Sequence, residues 1–309
     1  MPLDSILAVF HKLDHIDILM GADQVCRSWR RAARDEPVLW RRIVMRGNAE
    51  LAFRLNRQGM ACAAVQRSQG QCEAFFGEYA GDDGFLLYLS EQAPFLKSLR
   101  LISCADVSLD GLEELITRFH LLEELELSQC RELIRTTVHE ILQRACPQLK
   151  HFRMNKHYFD ERRWIKDLDA EGIATMHELR SLQLITNDLT NKGLAAILEN
   201  CPHLESLDLR HCFNVDMDSV DDDEGTLLGE KCARIKTVRL PRDSMDDYDF
   251  KVGSPRFACK EIDYDSPYDT YLWESLSENS DDDYSGPSRY EADLDKYEKV
   301  LPRSMRTFL

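Results

Sequence analysis

Beyond about residue 70 the chain repeats one short pattern of apolar and polar positions. Three copies are clean: Leu96, Leu99, Leu101, Cys104; Leu122, Leu125, Leu127, Cys130; and Leu204, Leu207, Leu209, Cys212. In each, the closely spaced leucines share one face of a strand while the residue between them faces the other way. Weaker copies begin at Leu149 (with Phe152 and Met154), Leu179 (with Leu182, Leu184 and Asn187) and Ile235 (with Val238 and Leu240). Degenerate ones begin at Cys72 (with Phe75) and Cys259 (with Ile262 and Tyr264). The eight starts, at 72, 96, 122, 149, 179, 204, 235 and 259, lie 24 to 31 residues apart. Helical periodicity fills the intervals, as in Asn191 to Asn200 and Thr137 to Arg144. A strand–turn–helix unit of this size cannot bury its own apolar face, so it must stack on copies of itself. Right-handed crossovers then make the strands parallel. The expected fold class is α/β: over residues 71–265, a short solenoid with strands on the concave face and helices outside.

The first 47 residues follow a different period. Ile6, Leu7, Phe10 and Leu13 fall on one helical stripe, and Asp14-His15-Ile16-Asp17 offers a carboxylate at a helix start. A second stripe carries Ile18, Leu19, Val25, Cys26 and Trp29, and a third element ends at Val38-Leu39-Trp40 after Pro37. A small all-α head is expected. Residues 48–70 read as a linking helix, rich in Ala, Leu, Arg and Gln. Residues 266–309 are acidic and polar, a composition that stays partly disordered. Their aromatic load, including Tyr268, Tyr271 and Trp273, leads to the expectation that Tyr268 to Leu276 folds back as a cap on the last open strand. Two long intervals, His157 to Asp169 and Asp216 to Glu224, are either partner-reading loops or tolerated surface insertions.

Charge narrows the function classes. A net charge of -16 argues against binding nucleic acid or anionic membranes, both of which need clustered Lys and Arg. No apolar run approaches the roughly 20 residues of a membrane-spanning helix, and Met1-Pro2-Leu3-Asp4 lacks the basic start of a secretory signal, so cytoplasm or nucleus is expected. The 10 cysteines include no C-x-x-C pair, so neither metal nor disulfide framework is expected. Several fall in register with the leucines, as small buried residues would. G-x-S-x-G, P-loop, H-E-x-x-H and dinucleotide-loop motifs are all missing, so neither catalysis nor a cofactor is expected.

The head carries a more specific signal. Pro2-Leu3-Asp4 followed by Ile6, Leu7, Phe10 and Leu13, then Val25-Cys26-Arg27-Ser28-Trp29-Arg30, and finally Leu39-Trp40, resembles an F-box. Together with the repeats that follow, including Gln71-Cys72-Glu73-Ala74-Phe75, the chain resembles the plant F-box/LRR group of substrate receptors. That resemblance implies docking on the Skp-type linker of an SCF ubiquitin ligase, and through it a cullin, while the repeats hold a protein substrate. An amphipathic helix set docks by laying an apolar stripe into a groove. The expected contact side is Pro2, Ile6, Leu7, Phe10, Leu13, Ile18 and Leu19. Trp29 and Trp40 either join it or, with Val25 and Cys26, hold the head together.

Strand alternation also names the outward residues. The central column should be Arg100, Glu126, Arg153, Gln183, Asp208, Arg239 and Asp263, flanked by Ser98, Glu124, His151, Ser206 and Arg210. Signs mostly alternate along it. Two readings stay open: self-neutralising ladders, or charges for which a partner competes. A repeat scaffold that binds no linker is the other function class. A small-molecule co-receptor fits less well, since about eight repeats are few to enclose a ligand.

Overall fold

The computed structural model describes residues 2–47, 55–134, 138, 141–142, 146, 148–160, 166–216, 223–250, 252–253 and 255. The copy at Cys259 with Asp263, the cap at Tyr268 to Leu276, most of 137–144 and most of the 216–224 insertion lie outside them.

Eight strands form one parallel sheet in chain order: β1 (Arg42–Met45), β2 (Ala74–Glu78), β3 (Ser98–Ile102), β4 (Glu124–Ser128), β5 (His151–Arg153), β6 (Ser181–Gln183), β7 (Ser206–Asp208) and β8 (Thr237–Arg239). Consecutive inward apolar residues stack in register, Leu99 on Leu125, Phe152 on Leu182, and Leu182 on Leu207. All of these are buried. Ten α-helices accompany the sheet among the described residues. α1 (Leu3–Phe10), α2 (His15–Met20) and α3 (Arg27–Asp35) build the head. α4 (Arg57–Arg67), α5 (Asp83–Gln92), α6 (Leu109–Ile116), α7 (Arg131–Ile134), α8 (Leu168–Ile173), α9 (Asn191–Asn200) and α10 (Asp223–Cys232) lie between strands. The interval expected to be helical at 191–200 is helical over those residues.

Five of the turns off the concave face are made the same way. Tyr79, Ser103, Gln129, Thr186 and His211 all have positive φ, between 52° and 61°. Each comes immediately before Ala80, Cys104, Cys130, Asn187 or Cys212. Left-handed backbone is uncommon outside glycine, so its recurrence here marks a turn that the stack imposes. It drops the next side chain beneath the preceding repeat. There the Cys104, Cys130 and Cys212 thiols donate to the carbonyls of Gly77, Leu101 and Leu184 at 3.7, 3.5 and 2.6 Å. The repeat cysteines are thus small buried donors. Burial pushes the Cys72, Cys146 and Cys212 thiols up to about 12, which leaves them unreactive at neutral pH.

Two elements differ from the sequence reading. β1 lies within the head's last residues and pairs in register with β2, Arg42 on Ala74 through Met45 on Gly77. The segment read as a linking helix is the β1–β2 crossover. Asn56 caps α4 by accepting from the Gly59 N–H at 2.8 Å. Met60, Ala61, Ala64 and Val65 of α4 are all buried. Head and solenoid consequently share one core.

Several polar ties lock that junction. Arg57 donates to the Met45 and Arg46 carbonyls at 2.7 and 2.8 Å, and the Gly47 N–H donates to Glu78 at 2.6 Å. Arg67 pairs with Asp23 at 3.0 Å. The buried His15 ring accepts from the Val44 N–H at 3.1 Å through Nδ1 and places Nε2 3.1 Å from the Leu39 carbonyl, which requires the neutral Nε2–H tautomer. Burial lowers the His15 pKa below its ordinary value, hydrogen bonding to Leu39 opposing the shift. Folding therefore favours the neutral ring, and this stability is present above the unfolded pKa of about 6.5 and is lost as pH falls through the lower folded value. Melting temperature is expected to drop between pH 7 and 5 more steeply in the wild type than in His15→Gln. Parallel pH profiles would refute the role given to this ring.

Candidate functional site

The head turns one set of apolar side chains inward and another outward. Ile6, Phe10, Ile18, Leu19 and Trp40 are buried. Trp40 Nε1 donates to the Ala33 carbonyl at 2.8 Å, and Phe10 meets the half-buried Trp29 edge-on at 5.2 Å. Ile6, Phe10, Ile18 and Leu19, expected on the docking side, are instead in the core of the head, because α1, α2 and α3 close on one another and on α4, and Trp40 takes the core place left open for it. Pro2 is exposed, and Leu7 and Leu13 are half-buried. The exposed apolar residues are Leu3, Val9, Val25 and Val38, four of the eight large apolar side chains exposed among the described residues. Val25 is the most open, at 63%. Of these, the sequence reading weighed only Val25, and there as a core candidate.

On the concave face the central column stands in one row. Arg100 is level with Glu126, Glu126 with Arg153, Arg153 with Gln183, Gln183 with Asp208, and Asp208 with Arg239. The row also extends to Phe76 and Val44, and the Arg100 guanidinium lies over the Phe76 ring at 4.7 Å. Ser98, Glu124, His151 and Ser206 stand in the flanking row, with Ser181 between the last two. The charges are paired across strands. Arg100 Nε donates to Glu126 at 2.6 Å, Arg153 donates to Glu124, and Ser98 donates to Glu124 at 2.6 Å. Gln183 donates to Asp208 at 3.0 Å. Burial pushes the Glu124 carboxyl up, but its bonds from Ser98 and Arg153 outweigh this and hold it below the usual carboxylate range.

The C-terminal end of the row departs from the ladder. Arg210, just beyond β7, is 3% exposed. Its Nη2 donates to Asp208 at 2.7 Å, while Nη1 donates to the Ser244 carbonyl at 2.9 Å and to Asp247 at 2.5 Å. Arg239 is level with Asp208 but pairs instead with Asp247, at 2.7 Å. The chain has turned back after β8 and laid residues 244–250 on its own concave side. Gly253 continues this path, its N–H donating to the His157 carbonyl at 2.8 Å. Burial, with the charges of Glu126 and Asp208, raises the Tyr248 pKa; Asn155 and Arg210 oppose it. Burial likewise raises Glu78 on β2, and Asp249 adds a like charge. Nothing in the composition of residues 243–250 distinguishes them from a solvated acidic turn, so sequence reasoning missed this cover.

Among the described residues there is no cluster of three His, Cys, Asp or Glu able to hold a metal ion, and no helix long and apolar enough to cross a membrane.

Comparison with known proteins agrees with this division of the molecule. A family model for F-box-like domains matches residues 1–46. From Arabidopsis thaliana, F-box protein SKIP19 is 38% identical over 289 residues, 93% of this chain and 87% of the relative. A protein provisionally named F-box/LRR-repeat protein 23 is 38% identical over 252 residues, covering 80% of this chain and 54% of the longer relative. Another, F-box/LRR-repeat protein 22, is 37% identical over 257 residues, covering 82% and 80%. With an F-box-like head running directly into an eight-stranded leucine-rich solenoid, the chain belongs to the plant F-box/LRR-repeat family.

Proposed function

We propose that this protein is the substrate-recognition adaptor of an SCF-type ubiquitin ligase, acting in the cytoplasm or nucleus. The head docks on a Skp-type linker and through it a cullin, and the concave face holds a protein substrate. The chain performs no chemistry itself; bringing both ends together raises the effective concentration of substrate at the transferring enzyme. The observation that carries this reading is the head's outer surface, which keeps Leu3, Val9, Val25 and Val38 in solvent. Exposed apolar side chains concentrated on one small module mark a partner site. The rigid junction through α4 supports the same reading, since a fixed angle between two gripping ends presents the substrate in one orientation.

The docking side is accordingly Pro2, Leu3, Leu7, Val9 and Val25, with Leu13 and Trp29 at its margin. Leu3→Asp combined with Val25→Asp is expected to weaken capture of a purified Skp-type linker at least tenfold, with the melting temperature unchanged. Phe10→Ala is expected to lose capture by unfolding the head instead, with a fall in melting temperature. Undiminished capture by the double variant would overturn the docking side. A wild-type chain that binds no linker would overturn the adaptor reading and leave a repeat scaffold. The concave residues Arg100, Arg153, Gln183, Arg239, His151 and Ser98 remain open enough to meet a substrate, whereas Glu126, Asp208 and Arg210 sit beneath residues 244–250 or within ladders.

A further inference from the structure

The segment after β8 is built as a ligand would be. A turn closes it, with the Leu240 N–H donating to Asp243 at 2.8 Å, and a second local bond runs from the Tyr248 N–H to the Met245 carbonyl at 2.9 Å. The carboxylate of Asp247 then spans two guanidiniums, Arg210 at 2.5 Å and Arg239 at 2.7 Å. The next residue, Tyr248, puts its ring 5.9 Å from the Arg210 guanidinium and meets Phe250 edge-on at 5.5 Å. One acid and one aromatic residue thereby fill the positively charged end of the row.

We propose that the concave face recognises an acidic peptide carrying an Asp-Tyr pair, and that residues 243–250, Asp-Ser-Met-Asp-Asp-Tyr-Asp-Phe, are its resident occupant. This rests on the reading of the concave face as the substrate surface and names the class of segment that surface takes.

Three features favour an exchangeable occupant over a permanent cover. The anchor acid is half in solvent, with 51% of the Asp247 side chain exposed, and its pair with the comparably open Arg239 is of the exposed kind that contributes little to stability. Of the segment's acids it is Asp247 that meets the Arg210 and Arg239 guanidiniums at the C-terminal end of the row, a positive pair in a chain that is otherwise strongly acidic. Finally, a short tether gives the resident segment a local concentration on the order of millimolar. An external peptide of equal intrinsic affinity must therefore outcompete it, and weakening the tethered copy should expose the site.

The test uses the full chain and a fluorescent peptide of sequence Asp-Ser-Met-Asp-Asp-Tyr-Asp-Phe. The Asp247→Ala plus Tyr248→Ala variant is expected to bind this peptide at least tenfold more tightly than the wild type does. A scrambled peptide of the same composition should bind the variant at least tenfold more weakly, and adding Arg239→Glu should cost a further tenfold. In the wild type, excess peptide should speed tryptic cleavage after Arg242 several-fold, because displacement frees the turn; this arm does not depend on how any variant folds. No binding by the variant, equal binding of the scrambled peptide, or a cleavage rate indifferent to the peptide would each overturn the proposal. None of these assays contains the Skp-type linker, so their failure leaves linker capture by the head standing, and loss of that capture leaves the peptide result standing.

Discussion

Trp40→Ala is expected to cost about 3–5 kcal/mol, the range for emptying a core aromatic site, and to abolish capture of a Skp-type linker with it. Trp40 is fully buried, and three elements converge on it. Its indole N–H donates to the Ala33 carbonyl at the end of α3. Its ring lies 5.2 Å from His15 at the start of α2. The Arg67 guanidinium from α4 covers it at 5.1 Å. Truncation removes the apolar contact, frees Arg67 from its stacking surface and leaves the Ala33 carbonyl unpaired, and the site cannot collapse without moving α4. Trp40→Phe keeps most of the volume and loses the hydrogen bond, so about 1–3 kcal/mol is expected. Urea unfolding followed by tryptophan fluorescence and circular dichroism separates the two. If Trp40→Ala melts with the wild type, the shared core of head and solenoid is refuted.

The second large effect is expected deep in the middle of the stack, where Lys156 is 5% exposed. Its ammonium lies 3.2 Å from Asp169 and is hydrogen-bonded to Asp188. Both acids are themselves buried, and Asn187 donates to Asp169 at 3.0 Å. Lys156→Ala strands two carboxylates away from water, and breaking a buried pair from one side costs about 3–5 kcal/mol. Replacing charge by apolar bulk on both sides should cost less than removing one side, since the pair's mutual attraction scarcely exceeds its own desolvation. Lys156→Met with Asp188→Leu and Asp169→Leu is therefore expected to melt above Lys156→Ala. The opposite order, measured by thermal denaturation at pH 7, would mean that the cluster is a net source of stability.

How much of this the sequence could disclose follows from particular residues. The row from Arg100 to Arg239 was legible because a strand alternates with a period of 2 and the leucines fix its register, so the residue between two of them can face only one way. Ile6 and Leu3 were not distinguishable by the same logic. A helical stripe shows which residues are apolar, while which of them meet a neighbour depends on how α1 to α4 close, and only Ile6 is covered. β1 was hidden because its inward Ile43 and Met45 follow Trp40 at the end of the head's helical stripes, without the leucine spacing that marks the still shorter β5 to β8. The cover at 243–250 depends on Arg210 and Arg239, one of them more than 30 residues upstream of Asp247, and local composition holds no trace of such a pairing.

The order of the strands also decides how the molecule gives way under load. Each strand is bonded only to its immediate chain neighbours, so tension applied from the C-terminal side reaches the short ladders one at a time, after the few ties that hold residues 244–253. Once the ties from Asp247 to Arg210 and Arg239 and from Gly253 to His157 have parted, the stack opens like a zipper, each repeat a separate small step of work. Tension from the other end meets Trp40, Arg57 and Arg67 together and must break one large joint first. A motor that threads this chain will find a soft end and a hard one.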